Sequence, residues 1–425
     1  MSRTAFGRSL RRGMLVTSAM LWLGIGSVRA DELPVLQVNS TADAVGEPLM
    51  ATDGAGNIAV VWARSVPRPS GGYQSAISAR LFAADGVPLG EPFLVSDPAT
   101  EFAASPSLAM DASGAFVVSW IRGLGTPEAL VVQRFAAGGF AQGAPIVVKP
   151  LNAQSVDAKV VMGPDHSFVV GWHEIVFKQT GSPRSGSSTI YARRYEGQGV
   201  PATSELTVNV TRVESRGVGD IYVLTPPAIA VQPDGSFTVA WRQEMRYLRV
   251  DLSSAVYAQR YSSTGEPLSH DSRVSHSVSY TGNHPVAASD AGGNYVIAWG
   301  GMHQVDADSY SGYDLLLRRY AAGGTALGEA QQINNELLIF LPAALSMNAS
   351  GEFVTAWVGT ASSFCCIPAH VTYRRFAPDG TAVGEPVTVS DDYPQSPVAA
   401  SIDNGGNIAV SWNIGGVIKM RLYHH

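Results

Sequence analysis

The chain has 425 residues, 45 % of them hydrophobic and only 15 % charged, with 44 Gly, 25 Pro and a formal net charge of −6. An acidic, Lys-poor composition argues against nucleic acid or an anionic membrane as partner. Two adjacent cysteines, Cys365 and Cys366, are too few for a disulfide framework, so the fold has to be held by burial and strand pairing.

Residues 1–30 read as a cleaved secretory leader. Arg3, Arg8, Arg11 and Arg12 form a basic start, 14–25 is an apolar run too short to span a bilayer, and Val28-Arg29-Ala30 offers small residues for cleavage. Arg11-Arg12 would suit twin-arginine export, but Leu10 stands where Ser or Thr is expected, so the ordinary secretory route is preferred. The leader holds five Arg and no acid, and its loss moves the formal charge to −11. The predicted location is the periplasm or the outside of the cell. No later apolar run is long enough to span a membrane.

The remainder, 31–425, reads as one repeat array. Trp62, Trp120, Trp172, Trp241, Trp299, Trp357 and Trp412 recur about every sixty residues, each closing a stretch such as 105–120. Each repeat predicts four short strands; in the second they fall at 106–110, 115–120, 130–135 and 145–148. The joint between the first two is a tight turn, with Asp53, Asp111, Asp290 and Asp403 at its start in four copies. Gly56, Gly114, Gly235, Gly293, Gly351 and Gly406 sit three places on, and the third copy has His166 instead. The third segment ends in an aromatic (Phe82, Phe135, Tyr195, Tyr261, Tyr320, Phe376, Tyr423), preceded by Arg in five copies. Seven sets of four antiparallel strands predict an all-β fold, a seven-bladed β-propeller. The last repeat stops after its third strand, while 33–38 resembles 385–389, a fourth strand. The N-terminal segment is therefore predicted to complete the last blade and close the ring.

The phrase Asp-x-x-Gly-x-Phe-Val-Val-x-Trp, followed by Tyr-Ala-x-Arg-Tyr and a Gly turn, resembles repeats found in many secreted bacterial proteins. The resemblance covers essentially all of 31–425. It implies a propeller and nothing about activity, because the matching residues are framework residues.

The connections that vary in length lead from second to third strands and from each blade to the next, which places them on one face of the disk. Fifteen residues before each Trp stand Glu47, Ser105, Asp157, Pro226, His284, Pro342 and Pro397, expected near the axis on that face. Arg64, Arg122, His173, Glu174, Arg242 and Glu244 leave the second strands there. These charged and imidazole residues are the candidate ligand-binding set, against the plainer reading that each is a solvated loop residue. His270, His276, His284 and His303 lack a metal-ligand spacing, and Asp306-x-Asp308 lacks the rest of a calcium loop, so neither metal nor cofactor is expected. Cys365 and Cys366 form a vicinal disulfide, stay reduced, or link to another chain.

Enzyme marks are weak. Gly-x-Ser-x-Gly is absent, and 401–408 only approaches the turn of sialidase-like propellers. The leading expectation is a non-catalytic, monomeric propeller that binds protein or carbohydrate through its variable-loop face. The alternative is a carbohydrate-active hydrolase or lyase using the same face, for which Asp157, Glu174, Glu244, His173 and His284 would supply acids and bases. An envelope scaffold with an unused face is the third reading.

Overall fold

The computed structural model describes residues 31–425 except 41, 69–70, 124–127, 152–154, 178–185, 214–220, 248–249, 276–280, 305–309, 335–336, 361–368, 393 and 395–396. The chain forms seven blades of four antiparallel strands arranged in a ring, a seven-bladed β-propeller. Blade 2 shows the plan: Ala103–Met110 lines the axis, Phe116–Arg122 and Ala129–Phe135 follow outward, and Ile146–Pro150 is the rim strand. No helix among the described residues is long and apolar enough to cross a membrane.

The repeated Trp explains how flat sheets stack. All seven are almost fully buried, and each belongs to a different hydrophobic cluster that spans two neighbouring blades. Trp120, for instance, packs with Ile77 and Ala79 of blade 1, and Trp62 packs with Ile418 and Met420 of blade 7. Each indole therefore fills the wedge between its own blade and the preceding one. Further out, the Phe or Tyr that opens a second strand stacks on the aromatic that ends the third. Phe116–Phe135, Phe168–Tyr195 and Phe353–Phe376 have ring centroids 4.7–4.8 Å apart. Register makes each of them a directly opposed pair, the geometry in which cross-strand aromatics attract most strongly.

Two series of arginines brace the ring. The Arg directly before the aromatic reaches forward: Arg134 donates to the Gly197 carbonyl at 2.6 Å and Arg319 to the Pro378 carbonyl at 3.0 Å, both in turns of the next blade. Residues one place earlier reach back to the preceding rim strand. Arg193 donates to Val148 O, Arg374 to Ile333 O and Arg421 to Val389 O, at 2.7–3.1 Å.

Arg80 of blade 1 makes the equivalent bond, 2.8 Å long, to Val38 O. The N-terminal segment thus stands where a rim strand of blade 7 belongs. Asp31–Glu32 and Leu36–Gln37 pair antiparallel with Val417–His424, in the register Asp31↔His424 and Leu36↔Met420. Asn39 Oδ1 accepts from the Ile418 N–H at 2.8 Å, just as Asn334 accepts from Leu315 and Ser96 from Ile77. The expected closure is present, and Asn39 adds a capping side chain to it.

The Asx turns also form as expected. Asp53 Oδ1 accepts from the N–H groups of Ala55 and Asn57, and Asp403 repeats the pattern with Gly405 and Asn407. In blade 3, His166 adopts the left-handed φ of +62° that glycine supplies elsewhere. Cys365, Cys366 and the leader lie outside the described residues.

Candidate functional site

Six of the seven axial strands are interrupted where they reach the variable-loop face, and the sequence shows why. Pro48, Pro106, Pro285 and Pro342 fall inside register shifts of blades 1, 2, 5 and 6. Pro226-Pro227 splits the first strand of blade 4 in two, and that of blade 7 begins only at Ala399, after Pro397. Proline offers no N–H to the ladder, so the pairing breaks or bulges there. Ser105, before Pro106, is held at a left-handed φ of +51°, a conformation that costs a non-glycine residue on the order of 1–3 kcal/mol.

Blade 3 alone has no proline there. Its first strand, Ser155–Met162, pairs without a break against Phe168–Phe177, and Asp157 lies opposite His173. Asp157 and His173 therefore share one sheet face, and Lys159, two residues on, shares it too.

A cavity of about 530 Å³ occupies the axis on the variable-loop face. Glu47, Ser105, Asp157, Pro226, His284 and Pro397 all line it, together with Lys159 and Phe102. Six of the seven positions expected near the axis are thus brought together; the side chain of the seventh, Pro342, is outside the described residues. A narrower continuation runs down the channel, walled mostly by Pro, Ala, Val and Leu.

The chemistry concentrates on the side of blades 3 to 5. Burial pushes the His284 imidazole down to about 4, assisted by the positive charges of Lys159 and Arg242 and by His173. The Nδ1 of His284 is buried with no hydrogen-bond partner. Burial likewise pushes His173 down to about 4, and its Nε2 meets Ser188 Oγ at 2.7 Å. Asp157 moves the other way: burial raises its carboxyl, against the pull of Lys159. At neutral pH the cavity accordingly holds the uncharged imidazole of His284 beside a lysine and a carboxyl with a raised affinity for protons, while His173 stays buried in the blade against Ser188 and does not line it.

Several expected members are elsewhere. Glu174 lies one residue past His173 and so faces the opposite side of the sheet. It accepts from Trp172 Nε1 at 2.7 Å and lies 3.8 Å from Lys149 of the neighbouring rim strand. Arg64 is paired with Asp43 at 2.7 Å, and Arg122 stands 3.9 Å from Glu101; neither lines the cavity. Arg242 is buried and acts on the site through its charge. Glu244 belongs to Phe237–Tyr247, but its side chain is outside the described residues, as is that of His303. Lys159 was not among the expected site residues. The signal that could have found it was its departure from the repeat, since Leu49, Ser107, Ala228, Val286, Ala344 and Ala399 hold the same place in the other copies. No group of three or more metal-ligating side chains occurs among the described residues.

No family model and no curated protein matches the sequence. Among solved structures, the chain is similar to a polysaccharide lyase of family PL25, an ulvan lyase bound to -[GlcA(1-4)Rha3S]-. The TM-score is 0.55 at 11 % identity, over 92 % of this chain and 95 % of that one. It is also similar to the Penicillium chrysogenum α-L-arabinanase complexed with arabinobiose, with a TM-score of 0.46 at 11 % identity, over 93 % and 98 % of the two chains. A protein of unknown function from Dyadobacter fermentans gives a TM-score of 0.48 at 11 % identity, over 76 % and 95 %. At such identities the likeness is one of fold, and a shared propeller does not carry a shared activity.

Proposed function

We propose that the protein binds carbohydrate in the axial cavity of its variable-loop face, outside the cytoplasm. The observation that carries this reading is the convergence of Asp157 and Lys159 from blade 3, His284 from blade 5 and Glu47 and Ser105 from blades 1 and 2 around one space. Its volume is within the range of small-ligand sites, and its walls alternate apolar faces with a few directional polar groups. Sugars present that same combination of hydroxyls and apolar ring faces. The ulvan lyase that shares the fold acts on a polysaccharide, which agrees in kind. A polysaccharide and oligosaccharide binding screen tests the proposal. Asp157→Asn combined with His284→Gln should weaken binding at least tenfold with little change in melting temperature, and unchanged affinity would sink it.

Turnover is a second reading, favoured by one observation. A carboxyl with raised proton affinity and an imidazole kept neutral with a free Nδ1 share the cavity, as proton donor and acceptor do in acid–base sites. Product analysis of each binding polysaccharide separates the two: new chain ends mean hydrolysis or lysis, and intact ligand means binding alone.

A further inference from the structure

We infer that the ligand of this cavity is an acidic saccharide, whose carboxylate or sulfate group is seated on Lys159. This rests on the carbohydrate reading above and narrows it.

Among the described residues, Lys159 is the only Lys or Arg lining either the cavity or the channel below it. Its place in the repeat is otherwise filled by small or apolar residues, so packing the axis does not require a cation there. It is half-buried, facing the open space, and among the described residues no carboxylate lies within ion-pair distance of it. Asp157, two residues away along the strand, is coupled to it electrostatically, but burial outweighs the pull of the lysine and leaves that carboxyl with a raised proton affinity. Arg242 adds a positive charge that is felt at His284. A chain that is acidic overall thus sets one lysine into this cavity, which it shares with the carboxyls of Asp157 and Glu47. Low-dielectric walls focus the field of that lysine onto whatever enters, while the acidic surroundings are screened beyond about 10 Å at 0.1 M salt.

The remaining polar groups suit a sugar more than a simple anion. His284 Nδ1 is buried without a hydrogen-bond partner, and a sugar hydroxyl, which both donates and accepts, pairs with it in either tautomer, whereas a bare carboxylate or sulfate only accepts. Ser105 and Asp157 offer further hydroxyl partners around the same space. An anionic oxygen on Lys159 and a neighbouring ring hydroxyl on His284 would satisfy both ends together.

Calorimetric titration of the intact protein with three probes of matched length tests this: an oligogalacturonate, its methyl-esterified neutral form and a sulfated galactan oligosaccharide. At least one anionic probe should bind tenfold or more tighter than the neutral one, and the margin should shrink as salt is raised. Lys159→Gln should abolish that preference, Lys159→Arg should keep it, and Lys419→Gln, the same charge change on blade 7, should leave it intact. Melting temperatures of the variants confirm that each remains folded. Equal affinity for neutral and anionic probes, or a preference that survives Lys159→Gln, overturns the inference while the carbohydrate reading stands. Binding of succinate or sulfate through Lys159, with none of the saccharides bound, overturns the carbohydrate reading and this inference with it. If nothing binds, both fall. Between the two sources of charge, the tighter of the carboxylated and sulfated probes identifies the group.

Discussion

At Gly56 a Cβ would lie 2.7 Å from Asp403 Oδ2, and at Gly351 it would lie 3.0 Å from Asp290 Oδ2, in each case a carboxylate of the preceding blade. The turn glycines thus answer two demands, a positive φ and the room taken by that neighbour. His166 meets both differently, turning its Nδ1 onto Asp111 Oδ2 at 2.5 Å. Gly384 has φ +76°, and a Cβ added there would meet nothing within 4 Å. Gly384→Ala should therefore cost about 1–2 kcal/mol, the left-handed penalty alone, and Gly56→Ala clearly more; chemical denaturation gives the order. Trp120→Ala removes a fully buried indole from the wedge between blades 1 and 2, and should cost about 3–5 kcal/mol. A variant as stable as the parent would refute its packing role. Buried His173 and half-buried His284 carry a pH signature. Their folded pKa of about 4 lies below the ordinary 6.5, so the unfolded chain binds more protons between those values. Stability should fall as pH drops from 6.5 toward 4, with Asp157, shifted upward, offsetting part of the loss. Melting temperatures of His173→Asn and His284→Asn should depend less on pH over that window than those of the parent.

The element with the most leverage is the N-terminal strand. It supplies the Leu33 and Val38 backbone bonds to blade 7, the Asn39 cap and the carbonyl that Arg80 holds. Without 31–39, Val417–His424 becomes an open edge and the cluster around Trp62 loses Val38, Leu36 and Leu33. Deletion of 31–39 should lower the melting temperature far more than an ordinary terminal trim and promote association through the exposed edge. An unchanged melting temperature with a monodisperse species would show that the ring does not depend on it. Asn39→Ala is the finer probe. It strands the Ile418 N–H, while the Gly416 carbonyl keeps its bond from the Ala44 N–H; the loss should cost about 1–3 kcal/mol.

Across the whole molecule the two faces have separate tasks. The short-turn face is a ring of Asx turns whose carboxylates are spent on their own backbone, as at Asp53 and Asp403. The variable-loop face holds the groups with unspent chemistry. Replacing Asp53, Asp111 and Asp290 together by Ala should lower stability and spare ligand binding. Changes at Asp157 and His284 should do the reverse, and loss of binding from the turn variants alone would move the site to the other face.

Blade number, strand plan, Asx turns and ring closure were legible in the amino-acid sequence because the same local physics acts seven times. A repeated Trp or Gly averages out what is special to one blade. The axial positions were legible for the same reason, by counting back from each Trp to Glu47, Ser105, Asp157, Pro226, His284 and Pro397. What faces the cavity was decided only in three dimensions. His173 and Glu174 are neighbours in the chain, yet the two-residue period of a strand sends one toward Asp157 and the other to Lys149 on the far side. Arg64 and Arg122 leave their strands on the correct face but pair locally with Asp43 and Glu101. Lys159 and His284 stand more than a hundred residues apart. They act on one another because closing the ring brings the axial strands of separate blades around one small space, a distance that no local pattern encodes.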